Sequence, residues 1–150
     1  SSLPDGALFF ATELGCGVLS TATKEWHWKL EGGMSLNVAS IGQVEGRAVA
    51  LTGGVDGFVA AVDLSDGRVI RSQHVGAPVI GVAQTTNGNL RVATHNGARL
   101  LDLNWQSIGE SSHRLNRVLP VGDDRLLVSH PDHTLEMLEL KSVYSDSSVV

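Results

Sequence analysis

"GGVDGFVAAVDLSDGRVI", residues 53–70, sets one apolar run between two glycine turns, and its reading decides the fold. Phe58 to Leu64 is bounded by Asp56-Gly57 and Asp66-Gly67. Glycine at each reversal accepts a positive φ without steric cost, so the run is expected to be one strand of a tight antiparallel meander. Whether the meander recurs is settled by comparing the chain with itself, because a missed repeat misassigns the whole fold.

Four segments align: "ALFFATELGCGVLSTAT" from Ala7, "AVALTGGVDGFVAAVDL" from Ala48, "LRVATHNGARLLDL" from Leu90 and "LLVSHPDHTLEMLEL" from Leu126. Each is an apolar run ending on Thr12, Thr52, Thr94 or Ser129, then a turn, then a second run closed by Thr23, Asp63, Asp102 or Glu139. The closing positions are 40, 39 and 37 residues apart, a period too even for chance. Ahead of the hairpins sit the turns "PDG" at 4–6, "EGR" at 45–47, "NGN" at 87–89 and "GDD" at 122–124. Before the last three turns lie further alternating runs from Met34, Pro78 and Arg114, and after each hairpin comes a polar stretch: "EWHWKL", "RVIRSQ", "QSIGESS", "SVYSDSS". Three apolar strands and a polar one suit a sheet whose last strand is an exposed edge. The chain is therefore expected to be all-β, built of four-stranded antiparallel meanders in units of approximately 1–31, 32–73, 74–112 and 113–150. These are the blades of a β-propeller.

In pattern, nearly the whole chain resembles the WD-repeat propeller family, best in "PVIGVAQTTNGNLRVATHNGARLLDL". The family's Trp-Asp pair is absent: Ala22, Val62, Leu101 and Leu138 stand at the Trp position. Parts of its His, Ser/Thr and Asp network have matches in His113, Ser129 and Asp132, in His74 and Thr94, and in Thr52 and Asp56. "DGFVAAVDLSDGRVI" is also similar to the repeat of quinoprotein-type propellers, with the final Trp replaced near Arg71. The WD-repeat resemblance implies a non-catalytic platform that docks proteins or peptides. The alternative is a propeller portion of an enzyme, or of a sugar- or cofactor-binding protein, with its active groups outside this chain.

Composition sets outer bounds. The chain has 150 residues, 42% hydrophobic and 18% charged, as one globular domain requires. A formal net charge of −5 gives no electrostatic reason to expect a polyanion, so no nucleic-acid partner is expected. Cys16 is the single cysteine and can form no internal disulfide. No run approaches the roughly 20 apolar residues of a membrane helix, and "SSLPDG" lacks the basic and apolar regions of a signal peptide, so no membrane partner is expected. With no Asn-x-Ser/Thr sequon present, a cytoplasmic or nuclear setting is favoured. Propellers close with about four to eight blades, whereas here there are four units at most and the first begins at its second strand. The chain also opens on Ser rather than Met, as a processed product or an excised piece would. It is thus expected to be part of a seven- or eight-bladed propeller, completed by a second copy, another chain or a further chain segment.

Chemistry is sparse. His74, His95, His113, His130 and His133 fall in turns that a propeller blade places on one face, and Arg71, Arg114 and Arg117 border that face or line the inner strand. "HPDH" sets His130 and His133 three apart, yet no second pair supplies zinc's tetrahedral set, and no metal or cofactor is expected. "DLSDG" lacks a calcium loop's downstream ligands, and "GGVDG" lacks the Lys and helix of a phosphate cradle. No Gly-x-Ser-x-Gly elbow occurs, and Cys16 aligns with the turn position of Asp56, without a base nearby. Asp63, Asp66, Asp102, Asp123, Asp124 and Asp132 stand where a side chain caps turn N–H groups, so no enzyme activity is expected. Trp26 and Trp28 flank His27, and strict alternation puts both indoles on one side, to pack against a neighbouring blade or to anchor a partner. Trp105, beyond Asp102, is the expected exposed aromatic. The partner-binding candidates are Arg71, His74, His95, Trp105, His113, Arg114, His130 and His133.

Overall fold

The computed structural model describes residues 3, 6–12, 14–31, 36–111, 117–121, 125–129 and 132–139. These residues contain strands and turns and no helix. The first sheet is β1 (Ala7–Thr12), β2 (Gly15–Ser20) and β3 (Trp26–Glu31), in that order. The second is β4 (Leu36–Val44), β5 (Arg47–Gly54), β6 (Phe58–Asp63) and β7 (Val69–His74). The third is β8 (Val79–Gln84), β9 (Leu90–Thr94), β10 (Gly97–Leu101) and β11 (Ser107–Ser111). The fourth holds β12 (Arg117–Val121), β13 (Arg125–Ser129) and β14 (Leu135–Glu139). Every pairing is antiparallel between chain neighbours, so each sheet is a meander, as the turn pattern requires. The polar stretch "SVYSDSS" lies outside the described residues.

Sheets stack face to face, and that explains the apolar runs. Val49, Leu51, Val59 and Ala61 of the second sheet join Val79, Val82, Leu90, Val92 and Leu101 of the third in one buried cluster. The alternate residues Ala50 and Val62 turn the other way and meet Ala7, Phe9, Cys16 and Val18 of the first. A strand buried on both faces has no polar side, so "AVALTGG" and "FVAAVD" read as continuous apolar segments rather than alternating ones. At roughly 25 cal/mol per Å² of apolar surface, such two-sided burial is the main term holding one sheet on the next.

The turns that open the first and third sheets' hairpins repeat bond for bond. Leu3 N–H donates to Ala7 O at 2.8 Å and Gly6 N–H to Leu3 O at 3.0 Å; Thr85 to Asn89 and Gly88 to Thr85 do the same at 2.8 and 3.0 Å. The reversal before the last strand of each of the first three sheets opens on Ser20, Asp63 or Asp102, whose side-chain oxygen accepts from the N–H of Thr23, Ser65 or Asn104. Each then passes through a positive φ, at Lys24, Gly67 or Trp105.

Three sequence expectations are corrected. The repeat register moves: Ser20, not Thr23, is the counterpart of Asp63, because it carries the same turn bonds. Thr12 and Thr94 oppose Gly15 and Gly97 and donate to their carbonyls, whereas β5 runs on to Gly54 before a turn one residue longer, 55–57, so Gly54 and not Thr52 takes that place. Cys16 is no turn residue; it lies inside β2, paired with Ala11 and Leu30. Finally, Trp26 and Trp28 face opposite ways. They pair with Leu19 and Val18, which are adjacent, so His27 is an extra bulged residue and the alternation breaks there. Trp28 meets Phe9 on one face and Trp26 meets Phe10 on the other.

Candidate functional site

One end of the stacked sheets gathers the residues that the turn pattern singles out. Phe58 pairs with His74 across β6 and β7, which sets His74 beside the 55–57 turn. Val79, just beyond the 75–78 connector, pairs with Thr94, which opens the 95–96 turn. Register alone therefore brings connector and both turns to a common end. His74 Nε2 lies 3.2 Å from Asp56 O, its ring meets Phe58 edge-on at 4.9 Å, and Val75 N–H donates to Gly57 O at 2.8 Å. Val55 and Phe58 remain about half exposed there, at 54% and 46%. Next to them a cavity of about 160 Å³ is lined by Val75, Ala77, Thr94, Asn96, Arg99 and Glu110.

The expected site divides. His74 and His95 are exposed at this end, and His133, at a φ of 67°, stands in the corresponding β13–β14 turn of the fourth sheet. His113, Arg114 and His130 lie outside the described residues. Trp105 is corrected: it is 3% exposed and belongs to the buried cluster between the second and third sheets. A left-handed turn residue folds its indole inward, and the guanidinium of Arg71 covers it at 5.4 Å. Arg71 is corrected with it. Its Nη1 donates to Leu103 O at 2.8 Å and its Nη2 reaches Glu45 Oε1 at 3.3 Å, both in turns at the opposite end from His74. The His74–Thr94 pair implied by the WD-repeat resemblance does not form either, since Thr94 Oγ1 donates to Gly97 O at 3.1 Å while His74 turns to Asp56.

Carboxylates behave as turn caps. Asp56, Asp63, Asp66, Asp102 and Asp132 each accept from an N–H two residues on; Asp123 and Asp124 lie outside the described residues. The Ser65 hydroxyl and amide hold the Asp63 carboxyl below its ordinary value against the effect of burial, and Arg47 at 3.1 Å adds to them. Burial pushes the Cys16 thiol up to about 11, which leaves it protonated at neutral pH and a poor nucleophile. Among the described residues no group of three His, Cys, Asp or Glu side chains could hold a metal ion.

Two features had no signal in residue type. An open cleft of about 760 Å³ between the first two sheets is lined by Leu3, Val18, His27, Arg47, Asp63 and Ser65. Its cation and anion already pair with each other. The second feature is a repeated tie between sheets. Trp28 Nε1–H donates to Leu64 O at 2.8 Å, just as Arg71 donates to Leu103 O. Trp28 and Arg71 both stand one residue past an outer-strand bulge, and Leu64 and Leu103 both follow the capping aspartate. The two donors have nothing in common but reach, so only the register shows their equivalence.

No protein-family model matches the chain, and no curated protein matches it. Among solved structures it is similar to BamB from Moraxella catarrhalis, with a TM-score of 0.69 and 15% identity over 93% of this chain and 44% of that one. It is also similar to a protein of unknown function from Bacteroides caccae, with a TM-score of 0.66 and 17% identity over 94% of this chain and 56% of that one. The chain spans about half the length of these structures. At such identities the likeness bears on fold alone, and the fold is that of β-propeller blades.

Proposed function

We propose that the chain is a non-catalytic docking module, a portion of a larger propeller whose histidine-bearing end receives a partner protein or peptide. The observation that carries this reading is the Phe58–His74 pair, an exposed aromatic beside an exposed Val55 at the end where His95 also stands. Apolar anchors within a polar rim are what protein interfaces use. Among the described residues the aspartates are engaged in their own turns and the thiol is buried, so no acid–base or nucleophilic pair converges there. The likeness to BamB supports a propeller scaffold. The WD-repeat resemblance implies the same role, though the bonding of His74 and Thr94 departs from that family's pattern.

A photo-crosslinking residue at position 58 or 95, compared with one at position 103 at the other end, tests the reading in cells that make the protein. A discrete adduct from 58 and 95 and none from 103 is expected. Equal labelling from both ends refutes it. The cleft beside Arg47 and Asp63 favours a second reading, a ligand-binding portion of an enzyme or a sugar- or cofactor-binding protein; saturable binding of a sugar or cofactor, lost in Arg47→Ala, would select it.

A further inference from the structure

We propose that the face of the first sheet turned away from the second is the seat of one further four-stranded blade, whose outer strand sends a long donor side chain to the carbonyl of Thr21. This rests on the reading of the four sheets as part of a larger ring, and not on the docking role of the histidine-bearing end. Position by position, the sheets show what the seat is made for. Ala50, Thr52 and Val62 of the second sheet, and Leu90, Val92 and Leu101 of the third, are no more than 1% exposed, on the faces that meet the preceding sheet. The register gives their counterparts in the first sheet as Leu8, Phe10 and Leu19. There Phe10 is 41% exposed and Leu8 and Leu19 are half-buried. The same apolar stripe is thus present, with its cover missing among the described residues.

Two details make the face a built surface. Gly17 opposes Phe10, and a Cβ on it would lie 2.6 Å from Trp26 Cζ3, so its bare backbone lets the indole lie flat against β2. Trp26, 46% exposed, meets Phe10 edge-on at 6.1 Å and carries Lys29 Nζ at 5.7 Å. A broad aromatic floor results. Contiguous exposed apolar surface of this kind marks an interaction site.

Of the three seams between the four sheets, the third has Gly109 one residue past its outer bulge and so no side chain to donate there; the occupant follows from continuity with the other two. At each, the outer strand of one sheet donates forward to the carbonyl just past the capping residue of the next: Trp28 to Leu64, Arg71 to Leu103. In the first sheet the capping residue is Ser20, so the corresponding carbonyl is that of Thr21, in an exposed turn. A blade preceding the first sheet would therefore present Trp, Arg or a side chain of equal reach one residue past its outer bulge. Its forward face would be of small and branched apolar residues, like Val49, Leu51, Val59 and Ala61.

The seat can be filled by design of the chain itself. Because the Leu3–Ala7 turn repeats the Thr85–Asn89 turn, Leu3 takes the place of Thr85 after an inner strand. Residues 36–84 repeated directly ahead of Leu3 would supply a complete blade and an inner strand for β1. Acrylamide quenching of tryptophan emission is then expected to fall, since Trp26 is the accessible indole, and the unfolding midpoint to rise. Arg71→Ala in the added copy alone is expected to lower that midpoint by about 3 °C through loss of the Thr21 bond. Unchanged quenching in an extended chain whose circular dichroism shows the added strands, or an added-copy Arg71→Ala without effect, would overturn the proposal.

Should the extended chain fail to fold, the original chain decides. Phe10→Ser with Trp26→Ser is expected to reduce concentration-dependent self-association by at least several-fold, because an open seat is adhesive. Association identical with and without these substitutions overturns the seat. A stoichiometric dimer with Trp26 shielded overturns the occupant in favour of a second copy. Either failure leaves the crosslinking test at position 58 unaffected.

Discussion

Gly67 and Trp28 form a lock between the first two sheets whose two halves can be removed separately. Gly67 has a φ of 78°, and a Cβ placed on it would lie 2.5 Å from Cε3 and 2.9 Å from Cδ2 of the Trp28 indole. Gly67→Ala thus incurs two costs. The left-handed conformation costs about 1–2 kcal/mol for a residue with a Cβ. Displacing the indole costs about 1–3 kcal/mol more, as overpacking and as strain on the Nε1–H bond to Leu64 O at 2.8 Å. The total is about 2–5 kcal/mol. In a Trp28→Ala chain the second cost disappears and about 1–2 kcal/mol remains. Trp28→Ala alone is expected to cost about 3 kcal/mol, at the low end for a large aromatic because Trp28 is only half-buried. The coupling, about 1–3 kcal/mol in the sense that each change softens the other, is read from urea unfolding of the four chains by far-UV circular dichroism, a probe that does not depend on the indole. If Gly67→Ala costs the same with and without Trp28, to within about 0.5 kcal/mol, the packing of the first sheet on the second is not as described.

Three further outcomes follow from the same geometry. Asp63 has its carboxyl pKa lowered, so its ionised form stabilises the fold fully above the unfolded value, and that contribution is lost as pH falls through the folded one; the stability gap between the chain and Asp63→Asn should be constant near neutrality and shrink below about pH 4, as unfolding midpoints taken across pH would show. Cys16, raised to about 11 and buried, should react with iodoacetamide at pH 7.5 only as fast as the first sheet opens, so labelling in the folded chain trails that in urea by at least about 100-fold. Arg71→Ala removes the Leu103 bond and the cover of Trp105, and is expected to cost about 1–3 kcal/mol in urea unfolding while crosslinking from position 58 is unchanged, because Arg71 belongs to the seam and not to the histidine-bearing end.

The strand order and the turns were legible in the residues because their causes are local. Asp63-Leu64-Ser65-Asp66-Gly67 closes on itself: one carboxylate caps Ser65, another caps Arg68, and glycine takes the positive φ. A few residues suffice for that chemistry, so the period and the four-stranded unit can be read without a neighbour. The position of His74 and His95 at one end follows as well, since an antiparallel meander returns every second turn to the same side.

Faces and burial were decided only by the tertiary structure. One extra residue, His27, reverses the side of every residue after it, and nothing in "EWHWKL" marks the bulge; strict alternation therefore placed Trp26 and Trp28 together when they stand apart. Trp105 looks like a turn residue in the sequence and is one, yet a left-handed φ of 64° carries its indole into the core between two sheets, under Arg71. Sequence settles what a segment does with itself. Which side of a strand meets another sheet depends on register summed along the chain, and a single-residue slip, unreadable locally, moves a side chain from solvent to core.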